Sequence, residues 1–190
     1  MASAMKVSEL ALRGVFEIVP GRHSDARGHN SVTYSRSAFH AAGITAEWVQ
    51  DNQSWSAKAG VLRGMHFQAP PFAQDKLVRV ARGAIFDVVV DVRKGSPQFG
   101  QWLALGLSAG SGNQIFVPRG FAHGFLTLED DTEVLYKVSG DYAPGHERTF
   151  RFDDPAIGIA WPLNGRAPLL SERDRAAPRL SDIETGFAIG

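Results

Sequence analysis

Cysteine is absent from this chain of 190 residues. That excludes a disulfide framework, a thiolate metal site and a thiol nucleophile. Net charge is absent as well: 20 Lys and Arg stand against 20 Asp and Glu, so no global field draws the chain to nucleic acid or to a membrane. An anionic ligand must then be held by local cations. Long apolar runs are missing, since nothing approaches the ~20 residues of a membrane span. The opening MASAMKVSEL lacks the apolar stretch of a signal peptide. The expectation is a soluble, cytoplasmic protein; the sequence does not decide whether Met1–Ala4 are native to it. No fixed-period repeat, low-complexity tract or linker divides the chain. With 44% hydrophobic residues, a single domain over residues 1–190 has material for a core.

What the chain does contain is short, alternating, β-branched runs punctuated by Gly, Pro and Asp. GVLRGMHFQ, GVFEIVP, SVTYS, KLVRVARG, AIFDVVVDV, QWLALGL, QIFVP, AHGFLTL, EVLYKVS and RTFRF all read as strands. The turn chemistry between them, as in RKGSPQFG and LEDDTE, completes an all-β sandwich or barrel pattern. Helix is expected in two places only. One is SRSAFHAAG, with Ser35 or Ser37 as cap and Gly43 as stop; the other lies near LSERDRAA. From Asp153 the chain turns Pro-rich and irregular, which predicts a C-terminal segment wrapped over the barrel.

Polar residues inside strands carry the functional signal. In GVLRGMHFQ, strict alternation puts Arg63, Met65 and Phe67 on one face and Gly64, His66 and Gln68 on the other. Arg63 and His66 share a site only if Gly64 bulges the strand or Arg63 works from its end. Lys76 falls in register with Val78 and Val80, an apolar face, where a buried ammonium must be paired or lose its proton. Tyr136 sits among apolar residues in EVLYKVS, and His123 opens a strand after a Pro-Arg-Gly turn. Metal-binding cupin barrels share this β pattern but use an HxH pair, a following Glu and a later His. Here His66 and His123 alone occupy such positions, too few for ordinary Zn or Fe coordination.

Across nearly the whole chain, from about Gly14 to about Asp174, one family is matched in order and spacing. VLRGMHFQ, QDKLVRVARGAIFDVVVDVRKGSPQFGQW, FVPRGFAHGF, LYKVSGDYAPGHER, DDPAIGIAWP and LSERD together resemble the dTDP-4-dehydrorhamnose 3,5-epimerase family. The resemblance implies a jelly-roll cupin barrel, a homodimer, no metal or other cofactor, and epimerisation of a nucleotide-linked 4-keto-6-deoxy sugar. Such a reaction removes a proton beside a ketone, carries the charge as an enolate and returns a proton to the opposite face. His66 has the pKa class of a base working near neutrality. By resemblance Asp174 orients that imidazole, Lys76 faces the enolate oxygen and Tyr136 is the acid on the other face. Asp174 also fits a plain capping box with Ser171.

The same resemblance assigns substrate contacts. Arg27 and Arg63 match cations for the pyrophosphate and nucleotide, and Tyr142 matches the aromatic that stacks on the base. Gln50, Asn52, His123, Glu147 and Arg173 fill other matching positions. Departures cluster in base recognition. His29 and Asn30 stand in place of aromatics, Val32 in place of a carboxylate, and Gln53 and Trp55 in place of His and Arg. Two alternatives follow: a C3-only epimerase or one using another nucleotide, and a non-catalytic cupin that binds sugar nucleotides.

Overall fold

The structure is a computed structural model and describes residues 5–189; Met1–Ala4 lie outside the described residues. Two antiparallel sheets face each other as a cupin-type jelly roll. The six-stranded sheet runs β1 (Lys6–Glu9), β2 (Phe16–Val19), β10 (Gln114–Val117), β7 (Lys76–Arg82), β12 (Thr132–Val138), β5 (Gln50–Ser56). The five-stranded sheet runs β13 (Glu147–Thr149), β6 (Leu62–Gln68), β11 (Phe121–Thr127), β8 (Ala84–Asp91), β9 (Trp102–Ser108). A separate hairpin pairs β3 (Arg22–Asp25) with β4 (Gly28–Ser31).

Alternation along the strands explains three layers of packing. On β7 and β12, Val78, Val80 and Val134 turn inward, where they meet Ile85, Val89, Phe121 and Phe125 of the opposite sheet. The residues between them turn outward. Leu77 joins Ile18 and Phe116 under α1 (Arg36–Ala41), whose Phe39 closes the patch with Ile44. On the far side, Met65, Phe67, Val88 and Val90 are covered by Phe150, Leu180 and a row from Ile157 to Phe187. This second cover is the C-terminal wrap, and it explains why AIFDVVVDV is apolar on both faces. Burial of each such side chain contributes about 1.5–3 kcal/mol.

Two strand expectations need correction. SVTYS contributes only Ser31 to a strand, because Tyr34 leaves the hairpin to stack on Phe39 and Trp48. RTFRF is displaced toward Glu147, and Phe150 beyond it exchanges backbone bonds with Met65. Strands β1, β3 and β5 carry too few apolar residues for periodicity to reveal them.

Candidate active site

At one end of the barrel the two sheets enclose a cavity of about 710 Å³, within the range of small-ligand pockets. The turnover of β6 at Gly64 fills it with chemistry. His123 pairs with His66 and Phe125 with Arg63, so two residues of β6 stand opposite one of β11. Gly64 takes φ +137°, and a Cβ placed on it would lie 2.6 Å from Gly124 Cα. Only glycine permits that approach. The bulge sends Met65 and Phe67 into the outer cluster while Arg63, His66 and Gln68 all line the cavity.

His66 Nε2 lies 2.6 Å from Asp174 Oδ1. The carboxylate can only accept, so Nε2 carries the hydrogen and Nδ1 keeps its lone pair for the cavity. Asp174 is 4% exposed and belongs to α2 (Glu172–Arg175), where Ser171 caps its amide at 3.1 Å. The capping reading and the catalytic one therefore both hold, since the cap uses the Asp174 backbone and leaves the side chain to His66. Burial alone would raise the Asp174 carboxyl. Hydrogen bonds from His66, Ser171 and the Gly64 backbone, with the His66 charge, hold it below its ordinary value instead.

Lys76 enters from β7. Burial pushes its ammonium down to about 8, against the opposing pull of Glu147 and Asp87. Tyr136, two strand positions inward on β12 from Val134, is raised above its ordinary value by burial, only partly offset by Arg63 and reinforced by Glu147. It is a phenol with its proton in place at neutral pH. Behind these groups sits a second imidazole–carboxylate pair, His123 Nε2 to Asp87 Oδ2 at 2.7 Å. Asp87 is fully buried, its Oδ1 has no hydrogen-bond partner, and burial raises its pKa against the lowering effect of His123 and Lys76. Sequence reasoning passed over Asp87, although its place between Ile85 and Val89 on the inward face of β8 was a usable signal. Among the described residues no group of three His, Asp or Glu is arranged to hold a metal.

At the mouth, Tyr142 Oη donates to Glu147 Oε2 at 2.5 Å and Arg173 Nη1 donates to the same oxygen at 2.6 Å. Gln68 bonds the carbonyls of Phe72 and Asp141 and accepts from the Ala143 amide, which fixes the loop that carries Tyr142. Gln68, like Asp87, was not singled out from the sequence.

A family model described as dTDP-4-dehydrorhamnose 3,5-epimerase matches residues 9–182. The chain belongs to that family. A relative of that name from Sinorhizobium fredii is 46% identical over 183 residues, covering 96% of this chain and 93% of its own. The dTDP-4-dehydrorhamnose 3,5-epimerase of Bacillus anthracis, solved with TDP and PPi bound, superposes with a TM-score of 0.90 at 44% identity. That match covers 93% of this chain and 99% of the other. A 3'-monoepimerase from Streptomyces bikiniensis, in complex with dTDP-quinovose, gives a TM-score of 0.85 at 38% identity over 90% and 86% of the two chains.

Of the residues matched to this epimerase family, the cavity gathers His66, Asp174, Lys76, Tyr136, Arg63, Gln50, Asn52, His123, Tyr142, Glu147 and Arg173. Arg27 is the exception. Its side chain is 90% exposed, pairs with Asp25 at 2.5 Å and stands on the β3–β4 hairpin, outside the cavity of its own chain. Within one protomer Arg27 therefore does not join Arg63 at the cavity, because the hairpin is a separate two-stranded sheet. His29, Asn30 and Val32 are exposed in the same region. Gln53 and Trp55 do not replace them, since alternation on β5 turns both away from the cavity lined by Gln50, Asn52 and Ser54. Gln53 bonds Glu133 there, and Trp55 is 57% exposed.

Proposed function

We propose that the whole chain acts as one cofactor-independent epimerase domain on a dTDP-linked 4-keto-6-deoxy sugar. The observation that carries this reading is the convergence of a His–Asp pair, an ammonium of lowered pKa and a protonated phenol on one cavity. His66 Nδ1 removes the proton beside the ketone, and Asp174 stabilises the imidazolium that forms. Lys76 meets the enolate oxygen, where negative charge develops. Tyr136 donates a proton on the opposite face. Gln50, Asn52, Arg63, His123, Tyr142, Glu147 and Arg173 surround the sugar nucleotide, with the exposed Tyr142 ring available to stack on the base.

Incubation in heavy water with a dTDP-4-keto-6-deoxyhexose tests the reading by mass and proton spectra. Deuterium is expected at both C3 and C5. Incorporation at C3 alone would make the protein a 3'-monoepimerase, like the Streptomyces relative; none at either carbon would reduce it to a binding protein and sink the proposal.

Arg27 extends the proposal to quaternary structure. A match to the pyrophosphate cation is compatible with its exposed position only if the hairpin of a second copy brings it to the site. A cytoplasmic homodimer is the proposed working form. Sedimentation equilibrium should give twice the 20.6 kDa chain mass, and Arg27→Ala should weaken dTDP binding. A monomer with full dTDP affinity would refute this assembly.

A further inference from the structure

We propose that Arg173 is a positioning residue, which latches α2 to β13 and so holds Asp174 against His66. The proposal rests on the reading of His66 and Asp174 as the base pair. A four-residue helix has no stability of its own, and α2 has little packing: of residues 171–176 only Asp174 is buried. Backbone bonds tie the chain to the barrel before it, where Leu169 pairs with Gly60 and Leu62, and after it, where Arg151 donates to Pro178. Between those ties, among the described residues, only the side chains of Asp174 and Arg173 make hydrogen bonds to the barrel.

The Arg173 fork spans two positions of one strand. Nη1 donates to Glu147 Oε2 at 2.6 Å and Nη2 to Thr149 Oγ1 at 2.5 Å. In the β13–β6 ladder Thr149 stands opposite His66 and Glu147 opposite Gln68. The latch therefore grips the strand that flanks the base itself. Two parallel donors fix orientation as well as distance, which a single ammonium cannot do. Tyr142 donates to the same Glu147 oxygen and holds the anchor still. Arg173 is half exposed, so the ion pair adds little to global stability. What it supplies is alignment of the neighbouring Asp174.

The test compares Arg173→Met, Arg173→Lys and Thr149→Val in the full chain by three readouts. These are the solvent-exchange rate at saturating dTDP-4-keto-6-deoxyhexose, dTDP affinity by calorimetry, and the downfield proton signal of the His66 Nε2–H in free protein. Misalignment of a catalytic pair costs up to roughly 100-fold. Arg173→Met should therefore lose about 10- to 100-fold in rate at saturating substrate and broaden the proton signal of the free protein, beyond any loss of dTDP affinity that its place in the cavity lining brings. Arg173→Lys should recover part of the rate, and Thr149→Val should fall between wild type and Arg173→Met. Rate at saturation and proton signal both intact, with only dTDP affinity lowered, would leave Arg173 as a substrate contact alone and overturn the latch. Should Arg173→Met not fold, an unchanged rate and signal in Thr149→Val overturns it equally. A fully active Arg173→Met beside a dead His66→Asn sinks the latch alone. An active His66→Asn sinks the reading beneath it.

Discussion

His66→Asn is expected to abolish deuterium exchange at every epimerised carbon while dTDP affinity stays within about threefold. The shorter amide ends near the position of the imidazole Nδ1, gives up the Nε2 bond to Asp174 and offers no basic nitrogen to the cavity. A positioned general base is worth roughly 10²–10⁴-fold, and here both proton removal and the imidazolium charge shared with Asp174 depend on it. The nucleotide is held elsewhere, so ground-state binding has little reason to change. The measurement is exchange by mass spectrometry alongside dTDP titration calorimetry. Exchange near the wild-type rate would show that His66 is a satisfied core histidine, with the base to be sought at His123 and Asp87.

Lys76→Met should remove roughly 10²–10³-fold of the exchange rate and yet raise stability at pH 7 by up to about 3 kcal/mol. The two effects share a cause. Burial holds the Lys76 pKa near 8 against an ordinary 10.5, so at pH 7 the folded chain carries an ammonium that is costly to keep charged. Methionine of similar length removes the cost. Glu147 and Asp87 lose an attractive charge, which makes the figure an upper bound. Between about 8 and 10.5 the unfolded chain binds more protons than the folded one, so this part of wild-type stability rises with pH. The penalty is full below 8 and gone above 10.5. Denaturant melts should therefore show the variant's advantage at pH 7 shrinking toward zero above pH 10.5. Wild-type exchange should fall with a midpoint near 8 as the ammonium deprotonates. A variant less stable than wild type at pH 7 would mean that Glu147 and Asp87 outweigh burial and that Lys76 is a structural ion partner.

The architecture was largely legible because strands buried on one or both faces must advertise it. β7, β8, β11 and β12 carry their alternation or continuous apolarity in sequence, and the spacing of Gly64, His66, Lys76, His123 and Tyr136 follows from their places on those strands. β5 was not legible as a strand: QDNQSWS is polar on both faces, one toward the ligand cavity and one toward solvent. Asp174 was legible only through resemblance. Nothing local distinguishes it from a capping residue, and it lies 108 positions from His66.

The sequence by itself determined the all-β class, the absence of thiol chemistry, the two short helices and the residue types that meet in the cavity. These depend on composition and on periods of two and 3.6, which are local properties. The tertiary structure alone decided four further points: that the Gly64 bulge turns Arg63 and His66 to the same side, that Asp87 backs His123, that Arg173 spans Glu147 and Thr149, and that Arg27 stands outside the cavity of its own chain. Each depends on which strand lies beside which and in what register. Register is set by packing between segments distant in sequence, and a shift of one residue exchanges the faces.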